Sequence, residues 1–357
     1  MAARNYIRPV RCNLVVKKNK ASLVSNSIKI LITREIPSIG PDMLREAGFS
    51  VDVWSQPRPM TDEELLLAAS GVHALLSLGE NRLNAAFLEA CSHLEVISQF
   101  AAGYDNIDVA AATRLGIPVA NTPGAMSAAT ADVAFGLMLA VARKFFFNHK
   151  AILRGDWGHF MPLAHLGQEL AGKTLGIFGL GAIGLEMAKR CRGAYDMEII
   201  YCNRTNNPTA EQLIGARRVS FDTLLRESDV LSVHSVLSPE TRAVFNADAF
   251  SRMKPNAIFI NTSRGGVHDE QALLDALRRG IIWGAGLDVT NPEPMAADHP
   301  LLEMENVAIL PHIGSATVTA RQAMSRMAAE NIIGYYQRQS IPYLINRDVT
   351  PRYRANE

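Results

Sequence analysis

Net charge is the first thing this chain lacks. Lys and Arg number 36 against 35 Asp and Glu, leaving +1, which supplies no field for nucleic acid or for an acidic membrane surface. Neither is an expected partner. Cysteine is also scarce: Cys12, Cys91, Cys191 and Cys202 form no C-x-x-C pair and no zinc spacing with the histidines. Neither a disulfide framework nor a structural metal is indicated, and a reducing cytoplasm fits best. Long apolar runs are missing as well. The stretch Val133 to Ala142 reaches roughly half the ~20 residues a membrane span requires, so it reads as a buried helix. Acid is absent from Met1 to Arg34, where Arg4, Arg8, Arg11, Lys17, Lys18, Lys20, Lys29 and Arg34 are basic. Organelle-targeting peptides share that bias, but no clear amphipathic repeat accompanies it. Residues 1–27 therefore read as an N-terminal extension, either a tail or a targeting segment, on a protein expected in the cytoplasm.

What is present is ordinary for a globular protein, with 48% hydrophobic and 20% charged residues. A chain of 357 residues is too long for one ordinary core, so two α/β domains with a cleft between them are expected. Strands are expected at Ile28 to Thr33, Val51 to Trp54, His73 to Ser77 and Glu95 to Gln99. Helical spacing separates them at Pro41 to Ala47, Glu63 to Ala69 and Asn84 to Ala90. Such alternation predicts a parallel sheet covered on both faces. Thr122, Pro123 and Gly124 break the pattern. The helix that follows, Ala128 to Arg143, is apolar nearly all the way round, which suits a place between domains or at a subunit interface and suggests a homodimer. A second alternating series runs through Thr174 to Phe178, Glu198 to Cys202, Val230 to Ser235, Ala257 to Asn261, Ala285 to Val289 and Val307 to Leu310. A helix Asp269 to Arg279 closes at Gly280, and a last helix spans roughly Ala316 to Arg338.

Directly after the strand Thr174 to Phe178 the chain reads Gly179-Leu180-Gly181-Ala182-Ile183-Gly184, a G-x-G-x-x-G string that opens a helix. The first glycine permits a tight turn, the second lets the backbone approach a pyrophosphate, and the third lets helix and strand pack closely. A helix N-terminus then faces the phosphates. At the end of the next strand, where an acid would normally accept the hydrogen bonds of an adenosine ribose, the residues are Asn203-Arg204-Thr205. A neutral side chain followed by a cation favours a 2′-phosphate, so NADP(H) is the preferred cofactor, with NAD(H) also allowed. The plainer reading makes Arg204 an exposed loop residue.

Ligands of open α/β sheets bind beyond the carboxyl ends of the strands. Three candidates follow strands there: Arg264 in Asn261-Thr262-Ser263-Arg264-Gly265-Gly266, Glu293 in Asp288 to Pro294, and His312 in Pro311 to Ser315. Singly, each has a duller role: a strand-end ion pair, a solvated loop acid, or the entry to a helix capped by Ser315. Together, a guanidinium, a carboxylate and an imidazole are the groups that reduction of a 2-oxo acid requires.

The glycine string, the Arg264 block, Asp288 to Pro294 and Pro311 to Thr317 together resemble the D-isomer-specific 2-hydroxyacid dehydrogenases. Thr290 to Pro294 and His312 to Thr317 are most similar to the glyoxylate and hydroxypyruvate reductases. The similarity runs from about Ile28 to Asn346. It implies two doubly wound parallel-sheet domains, with a Rossmann cofactor domain (123–315) inserted in a discontinuous, flavodoxin-like substrate domain (28–122 and 316–346), and a tail at 347–357. It further implies that Arg264 binds the substrate carboxylate and keto oxygen, that His312 donates the proton, and that Glu293 hydrogen-bonds His312. The backbone around Leu78-Gly79 and Ala102-Gly103 would hold the carboxylate from the other domain. Thr130, Thr262, Ser263, Asp288 and Gly314 would join Gly179, Gly181, Ala182, Ile183, Gly184, Asn203, Arg204 and Thr205 in holding the cofactor. A carboxylate beside an imidazole favours its protonated form, as a proton donor requires.

Two positions depart from the family pattern. Val236 stands where a proline usually follows the strand, and Phe160 follows Trp157 where similar reductases often carry a second tryptophan. An NAD-sensing, corepressor-like binding protein and a phosphite dehydrogenase are the alternatives on the same scaffold.

Overall fold

Apolar, β-branched runs separated by helices condense here into two wholly parallel sheets. The computed structural model describes residues 28–353; the segment 1–27 expected to be an extension lies outside them. The first sheet contains β1 (Lys29–Ile32), β2 (Ser50–Val53), β3 (Ala74–Ser77), β4 (Val96–Gln99) and β5 (Val119–Ala120), ordered β2-β1-β3-β4-β5. In its register Ile30 sits between Val51 and Ala74. The second contains β6 (Thr174–Phe178), β7 (Glu198–Cys202), β8 (Arg217–Arg218), β9 (Val230–Val233), β10 (Ile258–Asn261), β11 (Gly284–Leu287) and β12 (Val307–Ile309), ordered β12-β11-β10-β9-β6-β7-β8. Every residue of β3, β4, β9, β10 and β11 is buried, as strands covered on both faces must be. In the second sheet the order reverses at β6, whose neighbours are β7 and β9. That reversal opens a crevice beyond the carboxyl ends of these strands.

The helix Ser127–Ala142 packs largely inside its own chain. Its Ala134, Leu137, Met138 and Val141 are buried in the chain's own core, against the helix Ala182–Tyr195 and strands β10 and β11. Most of its apolar surface is thus used within one chain, while Ala128, Asp132 and Gly136 stay exposed along one side. A run of exposed apolar side chains lies just beyond it, on the helix Phe145–Arg154 and the segment that follows: Leu153, Trp157, Phe160 and Leu163, the last two 86% and 87% exposed. Among the described residues no helix is long and apolar enough to cross a membrane.

The long helix Val318–Tyr336 packs on the helix Ile39–Glu46 and on β4, returning the chain to the first sheet. Thr317, not Ser315, caps it, its hydroxyl accepting from the Ala320 N–H. Buried Asn331 ties the returning helix to the sheet by donating to the Asn121 carbonyl and to Ser98 Oγ. Past this helix, Leu344 bridges to Ala120, and Asn346 accepts from the Val119 N–H and donates to the Ile117 carbonyl. The tail lies against the same domain as far as residue 353: Val349 is buried, and the Tyr335 hydroxyl donates to the Arg352 carbonyl.

Candidate active site

The glycine string sits where β6 turns into the helix Ala182–Tyr195, and each glycine has its own reason. Gly179 adopts φ +96°, and a Cβ there would strike the backbone of His234 and Ser235 at the switch point. A Cβ on Gly184 would meet the Gly179 carbonyl at 2.9 Å, so the helix can pack this closely only without one. At Gly181 a Cβ would meet nothing within 4 Å; the backbone there is open to an approaching ligand. Gly181 is also the N-cap and offers no side-chain cap, so the first amides of the helix, at the exposed Ala182 and half-buried Ile183, are not capped by the protein. The buried Ser235 hydroxyl beside this turn has no hydrogen-bond partner. An open glycine, an uncapped helix N-terminus and an orphaned hydroxyl fit a dinucleotide diphosphate.

Asn203 is placed differently from the expectation of a neutral residue facing a ribose. Its Oδ1 accepts from the Leu180 N–H at 2.6 Å and its Nδ2 donates to the Leu180 carbonyl at 3.2 Å. Clasping both backbone groups takes one acceptor and one donor, which an ionised acid lacks. Arg204 and Thr205 beside it are exposed. The sequence reading missed Arg218 on β8, whose guanidinium donates to the Asn203 and Arg204 carbonyls and to Asn206 Oδ1. No apolar pattern marks a two-residue edge strand, so nothing drew attention to it.

Beyond β11 and β12, Asp288 and His312 form one corner. Buried Asp288 accepts from the Ile313 and Gly314 N–H groups, both at 2.8 Å. Burial pushes its carboxyl up, against the pull of those two amides and of the His312 charge. Thr130 donates to the Gly314 carbonyl at 3.1 Å, which closes the corner from the other side. His312 is held at φ +53°, a region that β-carbon-bearing residues seldom adopt and that commonly marks functional turns. Its Nδ1 lies 2.6 Å from Glu293 Oε1. Burial alone would raise the Glu293 carboxyl. The hydrogen bond and charge of His312, the Thr290 backbone and the charge of Arg264 outweigh it and hold the group below the usual carboxylate range. Glu293 is therefore an anion at neutral pH, with the imidazole oriented so that its other nitrogen is free of this pair.

Arg264 follows β10. Its Nε donates to Asp105 Oδ1 at 2.9 Å, and one terminal nitrogen donates to the Ser263 carbonyl at 2.9 Å. The other lies against Gly103, where a Cβ would overlap it. Asp105 and Gly103 belong to the first-sheet domain, so the guanidinium spans the two domains. Asp105, 159 residues away in sequence, was not among the expected residues, because no local pattern joins it to Arg264.

The remaining expected residues are less uniform. The Leu78 N–H is engaged by Thr33 Oγ1 and Asn81 Oδ1 at 3.2 and 3.3 Å, so this amide is taken up within the fold. Gly79 keeps space beside Gln99, and the Ala102 carbonyl accepts from Asn121. Thr262 Oγ1 lies 3.4 Å from the ring of half-buried His234, and the Ser263 N–H and hydroxyl both donate to Asn261 Oδ1.

Residues 135–314 match the NAD-binding domain of the D-isomer specific 2-hydroxyacid dehydrogenases. A glyoxylate reductase of Thermococcus litoralis is 45% identical over 325 residues, covering 90% of this chain and 97% of the relative. Among solved structures, a glyoxylate reductase from Paecilomyes thermophila aligns with a TM-score of 0.80 at 32% identity, covering 90% of this chain and 99% of the other. An NADPH-dependent glyoxylate/hydroxypyruvate reductase from Sinorhizobium meliloti, solved with NADP and malonate, aligns with a TM-score of 0.79 at 31% identity, covering 92% and 99%.

Proposed function

The chain belongs to the D-isomer-specific 2-hydroxyacid dehydrogenases, NAD(P)H-dependent oxidoreductases of 2-oxo acids, and from that premise we propose that it reduces glyoxylate and hydroxypyruvate to the D-2-hydroxy acid. One observation carries the reading: the His312–Glu293 pair at 2.6 Å, near Arg264, at the carboxyl edge of the sheet that bears the glycine string. A bound reduced nicotinamide supplies the hydride for the carbonyl carbon. His312 delivers a proton to the carbonyl oxygen from the ring nitrogen opposite Glu293. Arg264 holds the substrate carboxylate and keto oxygen with its planar fork, steadied by Asp105. The first-sheet domain (28–122 and 316–346) closes on the substrate through the backbone at Gly79 and Gly103, while 123–315 holds the cofactor. NADPH is the preferred form, supported by the exposed cation Arg204 beside the neutral Asn203. The exposed Leu153, Trp157, Phe160 and Leu163 support a homodimer, for which light scattering of the active protein is expected to give twice the chain mass.

The test is the loss of nicotinamide absorbance with glyoxylate, hydroxypyruvate, pyruvate, 2-ketogluconate and, in the reverse direction, phosphite. The reading expects glyoxylate and hydroxypyruvate to lead. Tight cofactor binding without turnover would make the chain a binding protein instead, and phosphite oxidation above all else would replace the substrate class.

Glu293 carries a second expected result. In Glu293→Gln the amide can still meet His312 Nδ1 but the anion beside the ring is gone, so kcat for reduction falls while cofactor binding is kept. A folded variant with wild-type kcat removes Glu293 from the mechanism.

A further inference from the structure

Arg264 and Glu293 sit on two loops that touch directly behind the site: a Cβ on Gly265 would overlap the Thr290 carbonyl. Both loops also rest on one buried group of polar side chains. Asn261, at the end of β10, donates from Nδ2 to the Arg264 carbonyl at 2.9 Å, and its Oδ1 takes both Ser263 donors. The same Nδ2 lies 3.0 Å from Nδ1 of His268, which is 1% exposed. Because Asn261 approaches as a donor, His268 accepts at Nδ1 and carries its proton on Nε2. Burial pushes the ring down to about 4, so it is neutral. That Nε2 has no hydrogen-bond partner and faces Glu270 Oε2 at 4.0 Å. The same oxygen accepts from the Asn291 N–H at 2.7 Å, two residues before Glu293. Oε1 of Glu270 lies 3.5 Å from His299 Nε2, toward the outside.

A nearly buried carboxylate is costly to retain for fold alone. One of its oxygens holds the Glu293 loop at Asn291 and also lies 4.0 Å from the ring on which Asn261 and the Arg264 loop lean, a placement that gives it a role. We propose that Glu270 is a positioning residue for the reduction. It sets the Glu293 loop directly by its hydrogen bond to Asn291 and backs the Arg264 loop by packing against the His268 ring that meets Asn261, so that proton donor and substrate fork keep their relative placement. This rests on the roles proposed above for Arg264, Glu293 and His312.

Two variants separate position from bulk. Glu270→Asp keeps the charge but withdraws the acceptor by one methylene, and Glu270→Gln keeps an acceptor at the original reach. In Glu270→Asp, kcat/KM for the 2-oxo acid falls about tenfold or more, the scale of a small misplacement of reacting groups, while the KM for the nicotinamide cofactor, held mainly at the glycine string, rises much less. Glu270→Gln restores most of the loss. Hydrogen exchange supplies a readout independent of turnover: in Glu270→Asp, peptides covering 261–266 and 288–294 exchange faster together. Wild-type turnover on the substrate panel tests the functional reading separately. If only 288–294 loosens, or if Glu270→Gln is as impaired as Glu270→Asp, the shared-support proposal is wrong. Equal losses for substrate and cofactor also overturn it, since they report on the fold rather than on the two loops.

Discussion

Replacing His312 with alanine lowers kcat for 2-oxo acid reduction by about 100-fold or more, the range found when a positioned general acid is removed. Its Nδ1 is committed to Glu293 at 2.6 Å, so the opposite nitrogen is the one that meets the carbonyl oxygen. Backbone strain complicates the alanine variant, because residue 312 sits at φ +53°. His312→Asn answers this: asparagine tolerates the left-handed region and keeps the loop, but it cannot supply the proton. Both variants lose kcat, and both keep cofactor affinity, since Asp288 and Thr130 hold the Gly314 corner without the imidazole. Near-wild-type kcat in either one, with chemistry rate-limiting, takes the donor role away from His312.

Arg204→Ala produces the second large effect, a selective loss with NADPH. A charge-assisted hydrogen bond contributes about 1.5 to 3 kcal/mol, or about 10 to 150-fold in affinity. Arg204 is exposed, which pulls the expected ratio toward the lower end, about tenfold. Comparing kcat/KM for both cofactors in wild type and variant decides it. Loss confined to NADPH supports the 2′-phosphate contact; equal loss with NADH shows that Arg204 acts through the fold. Should the wild type favour NADH, the argument from Asn203 and Arg204 fails altogether.

Local chemistry made the cofactor end legible. Gly179, Gly181 and Gly184 carry their reasons in their spacing; the structure returns a steric cause for Gly179 and Gly184 and leaves the backbone at Gly181 open. Arg264, Glu293 and His312 were found because a doubly wound sheet delivers strand ends to one edge, so residues far apart in sequence converge by topology. What stayed hidden depends on contacts that no period records. Asp105 reaches Arg264 across the domains, Glu270 hides in an ordinary amphipathic helix, and β8 is too short to alternate. The apolar helix at 127–142 was only half legible for a related reason. Hydrophobicity on all sides says that a helix is enclosed, but not whether its own chain or another encloses it.

The two arginines of β8 have a consequence beyond the cofactor. They form the outermost strand of the seven-stranded sheet, a row of backbone donors and acceptors on which another strand could add itself, and both are exposed. Charged side chains on so short a border repel an incoming strand and keep sheets of neighbouring molecules from joining edge to edge. Arg218 meanwhile braces the Asn203–Arg204 turn from the same strand. Attempts to redesign nucleotide preference at this corner by removing its positive charge therefore also strip the sheet of a guard against aggregation, and solubility and selectivity will shift together.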